Sequence, residues 1–523
     1  MIPFFLRQGG PKRIAVALSG GVDSSVVAYL MQQHLLRYNR NREDGSSHDA
    51  QQHELIAVHM SNWTTSDEED PFCTHEQDWK DAQAVASCLH LPIHPTSFAA
   101  DYWTQVFEPF TEGVQAGSRP NPDVDCNRYI KFGALRDYVH TTLKADILAT
   151  GHYARLWDRS SAGSTTGGDD ENGSDCDIPY QYNSLVEQML QEDTNAPHWI
   201  RSWGDSKGAT LSPLLLAARD RSKCQSFFLS SVPGNAFRNV VFPLGDLLKK
   251  KNSPTSDSNS ELTVRDIAIA AELPTASKKD SMGICFIGKR PGGFTEFIDQ
   301  YFSTTETQPY QFVDIDTGAI VENEFGPSTS CHMVYTGGQR AKISGASKPW
   351  FVVQTNRDDH TILVCQGTHH PALYTDTFYV RDLSWMAGDL PNPLQQPSTI
   401  FHQQGLSSTN TAAITTVTSP PVLHAQCRVR NLQPLVPCQV VYDAAANVYE
   451  IKTQKPLRAI TPGQHCAIYV GTEGLVCLGG GTIVERGPTY HELNQELDVS
   501  NLHPAGHNDL SVLVPKSKVS SHT

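Results

Sequence analysis

Residues 14 to 31 read IAVALSGGVDSSVVAYLM, and this stretch restricts the fold more than any other. An apolar run from Ile14 to Leu18 gives way to Ser19-Gly20-Gly21, and helix-forming sequence opens at Val22-Asp23-Ser24. A buried strand that passes through a Gly-rich turn into a helix aims backbone N–H groups and a helix N-terminus at one point, which suits a phosphate. The stretch lacks the Lys-Ser/Thr ending that grips β- and γ-phosphates in Walker loops. It also lacks the G-x-G-x-x-G spacing of dinucleotide sites. A phosphate here is held in some other way, for some other reaction.

The segments that follow repeat the same grammar. Residues 54–60 (ELIAVHM) read as a second buried strand, 78–90 as a helix, 91–98 as a third strand-like run and 145–155 as a fourth ending in a Gly turn. Strands alternating with helices predict an α/β fold with a parallel sheet covered on both faces. The loops after Leu18, Met60 and Thr150 should then converge at the carboxyl ends of the strands. We expect this domain over 12–290, a small mixed domain over 291–372, a C-terminal β-barrel over 373–490 and a loose tail over 491–523. Two polar inserts, 158–212 and 249–260, and a Ser/Thr/Gln-rich loop at 402–420 interrupt these units, the first being expected to lack structure.

A chain of 523 residues is too long for one core. Its net charge of −15 argues against a nucleic-acid partner until the charge is located. Residues 158–212 hold ten acidic and three basic residues, so nearly half the excess lies in one insert. Basic clusters stand elsewhere (Arg119, Arg128, Lys131, Arg136; Lys278, Lys279, Lys289, Arg290; Arg340, Lys342, Lys348), each read first as a solvated face. No apolar run reaches the roughly 20 residues of a membrane helix, so no membrane partner is expected. The twelve cysteines form no C-x-x-C pair, which argues against a zinc ribbon, and no metal-ligand set is assigned. A reducing compartment fits. The first 22 residues carry Arg7, Lys12 and Arg13 and no acid, which suits a short organellar import signal.

Ser-Gly-Gly-Val-Asp-Ser is similar to the loop of PP-loop ATP pyrophosphatases. Cleavage between the α- and β-phosphates explains the missing lysine, because such a loop cradles the leaving pyrophosphate with N–H groups, Ser19 and Ser24, with Asp23 near magnesium. Two cysteines stand apart from the rest. Cys126 lies in RPNPDVDCNRYIKFG, three residues after Asp123, a carboxylate able to move protons. Cys285 lies in KKDSMGICFIGKR among four Lys/Arg, which favour the reactive thiolate.

With NWTTSDEEDPFCTHEQDWKDAQAVA, FAADYWTQVFEPF, ATGHYAR, KCQSFFL, YTGGQR, PWFVV, HPALY and TPGQ…GTEGLVCLGGG, these motifs resemble the tRNA-specific 2-thiouridylases, bacterial and mitochondrial, from about residue 13 to 484. The resemblance implies a Rossmann-like PP-loop domain, a small central domain and a C-terminal β-barrel. It implies that ATP, with Mg2+, adenylylates C2 of the wobble uridine of tRNAs for Lys, Glu and Gln, and that a cysteine persulfide delivers sulfur. By position, Cys285 looks like the persulfide carrier, Cys126 the partner that resolves it, either forming a Cys126–Cys285 disulfide or freeing hydrosulfide, and Asp123 the acid/base. Ala17, Leu18, Ser19, Gly20, Gly21, Val22, Asp23, Ser24, Met60 and Gly151 match the ATP site. Asn121, Pro122 and Asp123 match the target-base contacts, and His152, Lys223, Cys224, Gln225, Arg430, Asn431 and Gln464 the tRNA contacts. A sulfur donor, either a cysteine desulfurase or a relay protein, is the implied partner. The inserts look eukaryotic, which implies mitochondria.

The chain departs from the family's usual residues at Cys224, at Gly337 and near Arg430. An ammonia-using PP-loop enzyme and a decayed tRNA-binding protein are rival readings. Asp123, Cys126 and Cys285 could also ligate an iron–sulfur cluster, although persulfide chemistry is preferred.

Overall fold

The computed structural model describes residues 12–43, 53–63, 75–159, 178–192, 197–205, 211–250, 262–279, 309–322, 333, 335–341, 343–344, 347–395, 398–402 and 415–502. In the N-terminal half the strands are β1 (Arg13–Ala17), β2 (Glu54–Ser61), β3 (Ile93–Ser97), β4 (Ile147–Ala149), β5 (Ala154–Trp157), β6 (Leu214–Ala217) and β7 (Val240–Val241). Five of them form a parallel sheet in the order β3-β2-β1-β4-β7. Chain order reverses between β1 and β4, which opens a crevice at their carboxyl ends. Side chains of β1 alternate as a strand requires. Ile14 and Val16 pack with Val26, Val27 and Met31 of helix α1 (Val22–Glu43), while Ala15 faces Tyr102, Phe110 and Ile130 on the other side. A sheet covered twice needs apolar residues at both parities, which is why the strand is one unbroken apolar run.

The central unit is a four-stranded mixed sheet of β8 (Gln311–Asp314), β9 (Ile320–Val321), β10 (Trp350–Asn356) and β11 (Thr361–Gln366). Beyond it come β12 (Tyr374–Trp385), a separate hairpin of β13 (Ser398–His402) with β14 (Thr415–Ser419), β15 (Val422–Arg428), β16 (Val436–Asp443), β17 (Val448–Arg458), β18 (His465–Val470) and β19 (Val476–Arg486). Six of these pair in the order β12-β17-β16-β15-β18-β19, and β19 returns to β12, closing the expected antiparallel barrel. Closure removes both sheet edges.

One connection was not anticipated. The β5–β6 hairpin, from the N-terminal half, hydrogen-bonds to the barrel, with Leu216 opposite Val476 and Leu215 opposite Cys477. One face of the parallel sheet and the barrel consequently share an apolar core.

Three expectations need correction. The stretch 158–212 carries a helix, Ile178–Glu192, and a 3-10 turn, His198–Arg201. Val186, Met189, Leu190, Ile200 and Trp203 are buried, and the Arg159 guanidinium donates to the carbonyls of Ile200 and Ser212. These apolar residues were hidden in a composition dominated by the acidic Gly/Ser run before them. Lys249, assigned to a polar insert, is almost wholly buried. The tail is anchored to residue 502: Glu492 takes two bonds from Arg486, and Leu497 and Leu502 pack by Leu373 and Tyr374. Residues 503–523 lie outside the described chain.

Candidate active site

The loop after β1 is folded on itself. Ser24 Oγ accepts from the Ser19 N–H at 3.1 Å and donates to the Gly21 carbonyl at 3.0 Å, and Ser25 Oγ donates to the same carbonyl at 2.8 Å. Gly20 has φ of +78°, and a Cβ there would lie 2.2 Å from the Asp78 carbonyl oxygen, so only glycine fits. A Cβ on Gly151, after β4, would lie 3.1 Å from the Ser24 nitrogen, so this turn packs closely against the Asp23–Ser24 backbone. The loops after β1 and β4 therefore meet at the crevice, as anticipated. Met60 is the penultimate residue of β2, beside them.

Two lysines from remote segments complete this loop. Lys249 Nζ donates to Asp23 Oδ1, which also accepts from the Tyr153 hydroxyl at 2.9 Å. Lys278 Nζ donates to the Gly20 carbonyl at 3.0 Å, to Asp78 at 2.7 Å and to Asp81. These two carboxylates outweigh burial and raise the Lys278 pKa, fixing its charge beside the turn. In the sequence Lys278 reads as one of a solvated cluster around Cys285 and Lys249 as the start of a polar insert, and neither pattern points to Asp23, Tyr153, Asp78 or Asp81. The signal for Lys249 was weak: the first of three lysines after an apolar turn.

Asn121, Pro122 and Asp123 open a short helix, Pro122–Asp125, with the Asn121 side chain accepting from the Asp123 N–H at 3.2 Å. Pro122 at the first turn needs no N–H partner. Burial raises the Asp123 pKa against the opposing charge of Lys131, and burial pushes Asp125 up to about 6 against Arg128. A carboxyl pushed upward can hold a proton and release it near neutrality. Cys126 follows directly, 4% exposed, at the start of a π-helical stretch, Cys126–Leu135. Asn62 Nδ2 points at its sulfur from 3.8 Å.

His152 links the two halves of the site. Asn127 Oδ1 can only accept, so His152 Nε2 donates to it at 3.2 Å and Nδ1 accepts from the Thr150 hydroxyl at 2.7 Å. Buried between Phe132 and Phe242, the ring has its pKa lowered well below the usual value and stays neutral. Close packing of Gly151 on Ser24 and the His152–Asn127 hydrogen bond thus connect the Ser19–Ser24 loop to the Cys126 thiol. Cys285 lies outside the described residues. Among the described residues no group of three His, Cys, Asp or Glu could hold a metal ion.

Residues 46–175 and 174–289 match the model of the tRNA methyl transferase HUP domain, and 403–483 match the aminomethyltransferase beta-barrel domain. Mitochondrial tRNA-specific 2-thiouridylase 1 of Mus musculus is 31% identical over 97% of this chain and 99% of its own. The tRNA-specific 2-thiouridylase MnmA of Blochmanniella floridana is 30% identical over 92% and 99%. The chain belongs to the tRNA-specific 2-thiouridylase family. A solved U34-tRNA thiolase, NcsA from Methanococcus maripaludis with its [4Fe-4S] cluster, shares 14% identity over 51% of this chain and 58% of its own, with a TM-score of 0.21. That likeness is too distant to bear on the sulfur chemistry.

The residues that the family resemblance assigned to RNA divide by position in this 2-thiouridylase family member. Gln464 lies next to Gly463, whose φ is +86° and whose Cβ would fall 2.4 Å from the Arg119 nitrogen, so this barrel loop abuts the segment leading to Asn121. Arg119 was read as one of a solvated cluster. Instead it is half-buried and engaged, donating to Thr336 Oγ1 at 2.9 Å and to the Tyr335 carbonyl, while its N–H donates to the Pro462 carbonyl at 2.9 Å. Gln464 Oε1 and Asn431 Oδ1 are buried and have no hydrogen-bond partner among the described residues. Arg430 caps the carbonyls of Arg458 and Ala459 at 3.3 and 2.9 Å, and burial lowers its pKa to about 10, leaving it charged. Gln225 accepts from the Tyr153 N–H at 2.9 Å, with Lys223 half-buried two residues before it. Cys224 and His152 are turned into the core, where neither side chain reaches the surface. Cys224 accepts from the Ala218 N–H at 3.3 Å instead.

Proposed function

We propose that this protein is a tRNA uridine 2-sulfurtransferase, acting on the wobble uridine of tRNAs for Lys, Glu and Gln in mitochondria. The observation that carries the reading is the continuous link from Ser24 through Gly151, His152 and Asn127 to Cys126. It holds a phosphate loop and a thiol flanked by an acid in one fixed frame, as ATP-driven sulfur transfer requires. The relatives' names support activity on tRNA, and the mitochondrial ones among them support a mitochondrial location.

The loop fits a leaving pyrophosphate. Gly20 leaves no room for a side chain, Ser19 and Ser24 present hydroxyls, and Lys249 and Lys278 supply the cationic charge that the loop itself lacks. Asp23, held by Tyr153 and Lys249, fits a place beside Mg2+, which would neutralise phosphate charge when bound. Attack of the uridine C2 oxygen on the α-phosphorus expels pyrophosphate. The outer sulfur of a persulfide on Cys285 then attacks C2, and AMP leaves with the former C2 oxygen. The Cys126 thiolate attacks the inner sulfur of Cys285, the S–S bond to the base breaks, and 2-thiouridine is released with a Cys126–Cys285 disulfide. A thiol reductant restores both cysteines, and a sulfur donor reloads Cys285. Asp123 moves protons at the base. The described chain that leads to Cys285 leaves the phosphate loop at Lys278, and seven residues span at most about 25 Å.

The test gives unmodified tRNA, ATP-Mg2+ and a cysteine desulfurase with cysteine to the purified protein. Product is read as retardation on a mercury-containing gel. Wild type should thiolate, and Cys285→Ser and Cys126→Ser should not, with Cys285→Ser also losing the protein persulfide. AMP and pyrophosphate without thiolation under any condition would overturn the sulfur-transfer reading.

A further inference from the structure

Beside Cys126 stands an aromatic wall to which the chemistry above assigns no part. The chain leaving β2 passes the thiol at Asn62, and the next residue, Trp63, turns its indole onto Trp103, with ring centroids 5.8 Å apart and planes 26° from parallel. Phe107 supports both indoles, at 5.0 Å from Trp63 and 4.7 Å from Trp103, and Tyr102 meets Trp63 edge-on at 6.5 Å. Tyr102 and Phe107 are buried, whereas Trp103 is 47% exposed. The helix widens to π geometry over Trp103–Phe107, a departure that recurs at functional sites.

A lone exposed indole is ordinary on a protein surface. Here the indole is held by a second indole whose neighbour touches the sulfur, so its orientation is fixed relative to the reacting atom. A rigid aromatic face beside a site that works on one base of an RNA loop matches how proteins recognise single-stranded RNA. Unpaired bases stack on such faces, and little entropy is lost when the side chain is already fixed. Two positions beyond Cys126, the Arg128 guanidinium lies 5.2 Å from the ring of Tyr129, which is also exposed, adding a cation and a second aromatic near the thiol.

We propose that Trp103, backed by Trp63, is the stacking platform for an unpaired nucleobase adjoining the uridine that is modified. The proposal rests on the tRNA-thiolation reading above.

The experiment measures binding of an anticodon stem-loop, and of the same RNA made abasic at the position on either side of the target uridine, to wild type, Trp103→Ala and Trp103→Phe. Loss of one stacked base weakens single-strand binding by roughly ten-fold. Wild type should lose about that factor on one of the two abasic RNAs, while Trp103→Ala should bind intact RNA about as weakly and lose nothing further on the abasic one. Trp103→Phe should keep most of the affinity, and in steady-state thiolation the alanine variant should show a raised KM for the RNA. Equal affinity of wild type and Trp103→Ala, or equal sensitivity of both to abasic RNA, overturns the platform while leaving thiolation intact. If wild type neither binds the stem-loop nor thiolates it, the broader reading fails and takes the platform with it.

Discussion

Lys249 places its buried ammonium on the carboxylate of Asp23, 226 positions earlier in the chain. The charge missing from the loop thus arrives from a distant segment. Lys249→Ala leaves Asp23 with the Tyr153 hydroxyl and removes a cation from the pyrophosphate cradle. We expect kcat/KM for ATP to fall by roughly two orders of magnitude, a loss of about 3 kcal/mol in transition-state stabilisation. Pyrophosphate release at varied ATP checks this.

Gly20→Ala forces a side chain into the Asp78 carbonyl at a φ that disfavours it. The loop must shift while the strands behind it remain. ATP-dependent pyrophosphate release should be lost, with tRNA binding by gel shift near wild type. Retained turnover of ATP would show that the turn tolerates what its geometry forbids.

Asp125 carries a sign that can be tested with pH. Its pKa is raised by burial to about 6 in the folded protein, against about 4 when unfolded. Between these values the folded state binds more protons, so this group's contribution to stability falls as pH rises from about 4 to about 6 and is flat above. Asp125→Asn should therefore be more stable than wild type at pH 7.5, by about 1–2 kcal/mol given partial exposure. The difference should vanish near pH 4. Thermal melts at both pH values decide it.

Arg119→Ala removes the guanidinium that ties the approach to Asn121 to Thr336 and Tyr335. Burial lowers its pKa to about 10, so it is charged and its carbonyl partners are left unmatched by the change. The KM for tRNA should rise several-fold and stability fall by about 1–3 kcal/mol, with the KM for ATP unaltered. Steady-state kinetics in each substrate separates these effects.

The strand–turn–helix at Ile14 to Val22 was legible because burial on both faces, a tight turn and a helix start each leave a local mark. The helix start that brings Asn121, Asp123 and Cys126 together was legible because turn formers stand a few residues before the thiol. Lys249, Lys278 and Arg119 were not. A lysine on a surface and a lysine drawn onto a distant carboxylate look alike in sequence, and only the fold brings Asp23 or Asp78 to them. His152 failed in the opposite direction, since nothing local says that Asn127 and Thr150 occupy both its nitrogens. The strand Val240–Val241 is two residues long, too short for any periodicity.

The backbone pairing of Leu215 and Leu216 with Val476 and Cys477 ties to the barrel a hairpin, β5–β6, whose first strand follows β4 of the parallel sheet by four residues. Ser230 Oγ bonds His465 at 2.7 Å across the same seam, and Trp203 Nε1 donates to Asp389 at 2.9 Å. A substrate that touches Gln464 on one body and Asp123 on the other meets a caliper with its jaws already set. Were one RNA to touch both bodies at once, its fit would depend on the distance between its contact points as much as on its sequence.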